Sequence, residues 1–144
     1  MKKAEIVESI DIEIPFQDLD PMGVAWHGNY FRYFEAGRAA LLRKIDYDYP
    51  QMRASNFMWP IVDTRVKYIA PLEYAQQVRV TAGIMEWENR LRIDYELHDI
   101  ETGKRLCRAH TIQCAVCVES GELQFVCPPA LTDRIRAQLA HQAS

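Results

Sequence analysis

The sequence predicts an α+β fold in which one long helix packs against one antiparallel sheet. Three observations carry that prediction. Residues 29–45 repeat Tyr30, Phe34, Gly37, Leu41 and Ile45 at helical spacing, while Arg32, Glu35 and Arg43 fall elsewhere on the helix. After residue 57 the pattern changes to segments that alternate apolar and polar residues, separated by short breaks. One further strand-like segment precedes the helix, so the order is strand, helix and then a meander of strands.

Taken in order, residues 4–15 place Ile6, Ile10, Ile12 and Ile14 in a first strand that Pro15 ends. Residues 16–28 form a loop that carries Asp18 and Asp20. The helix runs from Asn29 to Ile45, with Asn29 or the preceding loop as its cap. Gly37 on the apolar stripe costs about 1 kcal/mol relative to Ala in a helix, which predicts a sheet backbone passing close to it. Residues 47–57, with Pro50, read as irregular. Strands follow over 58–70, 76–87, 90–100 and 105–118. In the third of these, Leu91, Ile93, Tyr95 and Leu97 alternate with Arg92, Asp94, Glu96 and His98. The turn at Glu119–Glu122 leads into a short strand over 123–126. A C-terminal helix then carries Leu131, Ile135 and Leu139 on one face. One sheet over one helix leaves an open face and open edges, and self-association is the usual way to cover them.

A chain of 144 residues with 49% hydrophobic and 26% charged residues is expected to form one domain over 1–144, with room for a core. A net charge of -3 supplies no broad basic surface for nucleic acid. No apolar run approaches the roughly 20 residues of a membrane span, and no apolar block follows Lys2 and Lys3, so a cytoplasmic protein is expected. Cys114 and Cys117 have the spacing of a redox or zinc half-motif. On a strand, however, residues three apart face opposite ways, and there is no second such pair. His98, His110 and His141 have no metal-ligand spacing among them, so no metal is expected.

The stretch from Asp18 to Arg38 concentrates the chemistry. It delivers carboxylates to a helix N-terminus, where backbone N–H groups are free and the helix dipole favours negative charge. Such amides can receive an oxyanion, and a nearby carboxylate can act as base or nucleophile. Asp20, which precedes a proline, also suits a plain turn, and Asp18 suits a structural role in the loop. Gly23 allows close approach of the backbone to a ligand. Tyr30, Trp26 and Trp59 fit either a pocket wall or the core.

Asp18-x-Asp20-Pro-Met-Gly23-Val-x-x-His27-x-Asn29-Tyr30-x-Arg32-Tyr33-Phe34-Glu35 resembles the acyl-CoA thioesterases of the hotdog fold, in the 4-hydroxybenzoyl-CoA thioesterase and YbgC-like branch. The resemblance implies a single hotdog domain over essentially the whole chain, an antiparallel sheet wrapped around one long central helix. It also implies hydrolysis of a small or medium acyl-CoA to the free acid and CoA. Asp20 would be the catalytic base or nucleophile, and the backbone N–H at His27 would polarise the thioester carbonyl. YbgC-like members share histidine at that position and the 4-hydroxybenzoyl-CoA enzyme has tyrosine, which favours the backbone over the ring. Gly23, Val24, Asn29 and Tyr30 would border the substrate. Arg65, Lys67, Arg90 and Arg92 are the cations suited to the phosphates of CoA. The resemblance further implies a homodimer or homotetramer with active sites at the subunit interface, and no cofactor beyond the CoA of the substrate. Two other functions fit the same fold: a hotdog dehydratase or hydratase, and an acyl-CoA binding module without catalysis.

Overall fold

The computed structural model describes residue 1 and residues 3–144, and its core forms where one helix crosses one sheet. The elements are β1 (Ile6–Glu13), α1 (Tyr30–Lys44), α2 (Tyr49–Ala54), β2 (Phe57–Met58), β3 (Ile61–Tyr68), β4 (Gln77–Glu86), β5 (Leu91–Asp99), β6 (Arg105–Gln113), β7 (Val116–Cys117) and α3 (Pro129–Ala143). The five long strands make an antiparallel sheet in the order β1-β4-β5-β6-β3, while β2 and β7 form a separate pair. Every residue of the predicted helical stripe is buried, and so are Leu91, Ile93, Tyr95 and Leu97 on the facing strand. Each of these apolar side chains contributes about 1.5–3 kcal/mol on burial. The ring of Phe34 lies 5.0 Å from that of Tyr95, which fixes the helix over the centre of the sheet. Leu131 and Ile135 of α3 complete the core.

The helix comes close to β4 at Gly37, although the neighbour there is a side chain rather than the strand backbone. A Cβ placed there would stand 2.7 Å from Val80 Cγ1 on β4. Valine is stiff at χ1, so the contact is relieved only by moving the helix off the sheet. Gly37→Leu is therefore expected to destabilise the fold by about 1–3 kcal/mol, read as a lower urea midpoint at unchanged slope. An unchanged midpoint would show that the packing has slack there.

The segment 47–57 is not irregular. Asp48 begins α2, and Gln51 three residues later accepts the Asp48 N–H through Oε1 at 3.1 Å, the back-bond of a capping box. Pro50 falls in the first turn, where a missing N–H is harmless. The predicted strand over 58–70 is split at Trp59-Pro60 into β2 and β3. The one predicted over 105–118 ends at Gln113, so Cys114 lies in the break and Cys117 on β7. All four cysteines are free thiols. Residues 123–126 form no strand. Leu123 makes only an isolated bridge to Val116, and Phe125 is 86% exposed.

The two faces of the sheet differ. The face turned to α1 is apolar. The opposite face carries Arg92, Asp94 and Glu96 of β5, with His110 opposite Asp94 and Arg108 opposite Glu96 on β6. On β3, Arg65 faces His110 and Lys67 faces Arg108. In this sheet β3 is paired on one side only, and Ile61, Val62 and Tyr68 on it are exposed.

Candidate active site

The loop between β1 and α1 folds back on itself before the helix begins. Asp20 opens a turn in which the Gly23 N–H donates to the Asp20 carbonyl at 2.9 Å and the Asp20 N–H donates to Val24 O at 2.9 Å. Pro21 and Gly23 occupy the positions this turn favours, and Gly23 has the left-handed φ of +80° that closes such a hairpin. The Met22 N–H donates to Asp20 Oδ1 at 2.8 Å, so one carboxylate oxygen holds the turn. Val24 and Ala25 then run antiparallel to the segment after β3, with the Ala25 N–H donating to Leu72 O at 2.8 Å. That pairing brings Ile69, Ala70 and Pro71 beside the loop.

The helix opens with a 3₁₀ turn, His27–Asn29, that leads directly into α1. Trp26 in front of it is extended, and the backbone N–H groups of His27 and Gly28 have no hydrogen-bond acceptor among the described residues. These are the orphan donors of a helix start. Asp20, Val24, Ala25, His27, Tyr30 and Tyr68 line a cavity of about 310 Å³, with residues 69–71 as its remaining wall. The rings of Tyr30 and Tyr68 stand edge to face at 4.8 Å, and the Tyr68 hydroxyl reaches the His27 carbonyl at 3.4 Å. Burial pushes the Tyr30 phenol up to about 12, so at neutral pH it is uncharged and can donate.

The structure thus brings Asp20, Val24, His27 and Tyr30 to one cavity. Gly23 shapes the turn and is not in the cavity wall. Asn29 turns its amide to the Asp18 carbonyl at 2.9 Å. Trp26 is half exposed beside the His27 ring, whereas Trp59 is buried and donates to the Tyr47 hydroxyl at 3.1 Å. Arg65, Lys67 and Arg92 share a separate concavity of about 480 Å³ on the sheet face turned away from α1. Arg90 stands apart and pairs with Glu86 at 2.7 Å. Tyr68 and the wall 69–71 are absent from any sequence motif, because they reach the site through the pairing of 24–25 with 72–73. Among the described residues no cluster of three or more His, Cys, Asp or Glu is arranged to hold a metal.

A carboxylate, Asp20, and a helix-start residue with an unpartnered amide, His27, on one cavity form a pattern suited to acyl transfer. The model of the thioesterase-like superfamily matches residues 14–139. The chain belongs to that superfamily. As a member, this thioesterase is a thioester hydrolase of the hotdog fold. It is 30% identical to the "Putative acyl-CoA thioesterase YneP" of Bacillus subtilis over 64% of this chain and 66% of that protein. A match of 27% identity to a "Putative esterase" of Aquifex aeolicus covers 72% of the chain and 80% of that protein. The fold is shared with a DHNA-CoA thioesterase from Staphylococcus aureus at a TM-score of 0.81. The two have 21% sequence identity, over 95% of this thioesterase and 91% of that chain. The hotdog sheet and helix expected from the sequence are therefore present, and 14–139 includes every residue of the cavity.

Proposed function

We propose that the protein hydrolyses an acyl-CoA thioester to the free acid and CoA, with Asp20 as general base or nucleophile and the His27 N–H as oxyanion donor. The observation that carries this reading is the shared cavity of the Asp20 carboxylate and the open end of the helix. The Gly28 N–H, equally unpartnered, is a second donor at the same end. Removing one oxyanion donor from an acyl-transfer enzyme typically costs about 3 kcal/mol of barrier. The relatives named for acyl-CoA and DHNA-CoA substrates support CoA as the thiol. A cavity of about 310 Å³ walled by Val24, Tyr30, Tyr68 and Ile69 suits a small or medium acyl group.

The decisive experiment is release of free CoA thiol from a panel of short aliphatic, medium aliphatic and aromatic acyl-CoAs. Turnover of at least one is expected. Tight binding without thiol release would instead support a binding module. Hydration of an enoyl-CoA with the thioester intact would support the dehydratase reading.

The exposed apolar edge of β3 supports a homodimer or homotetramer joined there, which would place a partner beside residues 68–71 and hence beside the cavity. The cations Arg65 and Lys67 on β3 and Arg92 on β5 lie on the other face of the sheet. They suit the CoA phosphates only if the nucleotide arm passes over β3. Lys67→Glu is then expected to raise KM for acyl-CoA about tenfold and to leave KM for the matching N-acetylcysteamine thioester unchanged. Equal KM values for acyl-CoA in variant and wild type would remove this face from the CoA path.

A further inference from the structure

Asp18 lies only two residues before Asp20, yet it is 2% exposed and turned away from the cavity. A buried carboxylate is costly unless it is fully hydrogen-bonded. Asp18 Oδ1 accepts from the Arg32 guanidinium, and Oδ2 accepts from the Tyr33 hydroxyl at 2.6 Å. Its carbonyl accepts the Trp26 N–H at 2.9 Å and the Asn29 side-chain amide at 2.9 Å. One residue thus joins the start of the Asp20 hairpin, the residue just before the oxyanion amides, the first turn of the helix and its second turn. Burial and the Asp18 carboxylate both hold the Tyr33 phenol protonated, so it stays a donor. The Arg32 guanidinium is largely exposed and keeps part of its hydration, which lessens the cost of the buried charge.

We infer that Asp18 is a positioning residue that sets the separation between the Asp20 carboxylate and the amides of His27 and Gly28 by bolting the hairpin to the helix. This rests on the reading of Asp20 as the reacting carboxylate. The physical basis is that an error of about 1 Å in the placement of a reacting group can cost about 10²-fold in rate. Neither end of the site supplies that restraint alone. The hairpin is closed by its own backbone bonds, and the hydrogen bonds that Trp26, Asn29, Arg32 and Tyr33 send back to its leading strand all go to Asp18.

The test is a double-mutant cycle read as kcat and KM with the best acyl-CoA of the panel. Asp18→Asn keeps the shape and can still accept from Arg32 while donating to the Tyr33 oxygen, but it loses the charge-assisted bonds. It is expected to lower kcat about 10- to 100-fold with KM within about threefold. In an Asp20→Glu background, where the carboxylate is already displaced by a methylene, the same change is expected to cost less than about threefold. An equal loss in both backgrounds, or an unaltered kcat in Asp18→Asn, overturns the proposal. If Asp18→Asn fails to fold, Tyr33→Phe takes its place, since it removes one bond from the same carboxylate. Its expected loss is about 3- to 10-fold in kcat with the same dependence on residue 20. Near wild-type turnover by Asp20→Asn, measured beside the cycle, would instead remove Asp20 from the chemistry, a failure of the underlying reading distinct from that of the Asp18 proposal.

Discussion

Asp20→Asn is expected to lower thioester hydrolysis by about 10²–10⁴-fold while the protein stays folded and still binds CoA. The asparagine is chosen because of what the carboxylate does structurally. Its Oδ1 accepts the Met22 N–H, and an amide oxygen can keep that bond and with it the turn. What the variant lacks is a group able to take a proton from water or to attack the thioester itself. Thiol release at saturating acyl-CoA measures the loss, and an unchanged melting temperature confirms that the hairpin has survived. Asp20→Ala would be less informative, because it removes the turn bond together with the reacting group. Near wild-type turnover in the asparagine variant would sink the assignment of Asp20.

The second large effect separates the backbone of His27 from its ring. His27→Pro deletes the N–H and is expected to reduce kcat by about 10²–10³-fold, the usual cost of an oxyanion donor. Proline is tolerated at the first helical position, and Trp26 before it already has φ -62° and ψ 134°, the conformation that a following proline requires. The fold is therefore expected to remain. His27→Ala, which keeps the N–H and removes the imidazole, is expected to stay within about fivefold of wild type. Matching losses in the two variants would move the role to the ring. A normal rate in the proline variant would remove the amide from the mechanism.

The helix and the central strands were legible because each buries one face. Tyr30 to Ile45 repeats at 3.6 residues and Leu91 to Leu97 at two, and each pattern can be read without knowing the partner surface. The breaks were harder to read. Nothing local distinguishes the end of β6 at Gln113 from a strand that continues to Val118, because the segment stays apolar. Asp48 and Gln51 did carry a helix-start signal, but Pro50 obscured it. In the site, Asp20 and His27 were legible because they belong to one contiguous stretch. Tyr68 and residues 69–71 were not, because pairing between distant segments places them. The Asp18 contacts fall between these cases. Arg32 and Tyr33 are visible in the motif, but only the fold shows that they turn back to a buried acid.

The strand order has a consequence for how the chain reaches this state. β4, β5 and β6 are joined by short turns and can close early, whereas Ile6 must find Ile84 and Ile61 must find Gln113 across much longer stretches. Closing those long loops costs entropy before their contacts offer any return, so the two outer strands are expected to dock late. The Asp20 hairpin follows one of them and the Tyr68 wall ends the other. Catalytic competence is thus expected to come late in folding, after the helix and the central strands have packed.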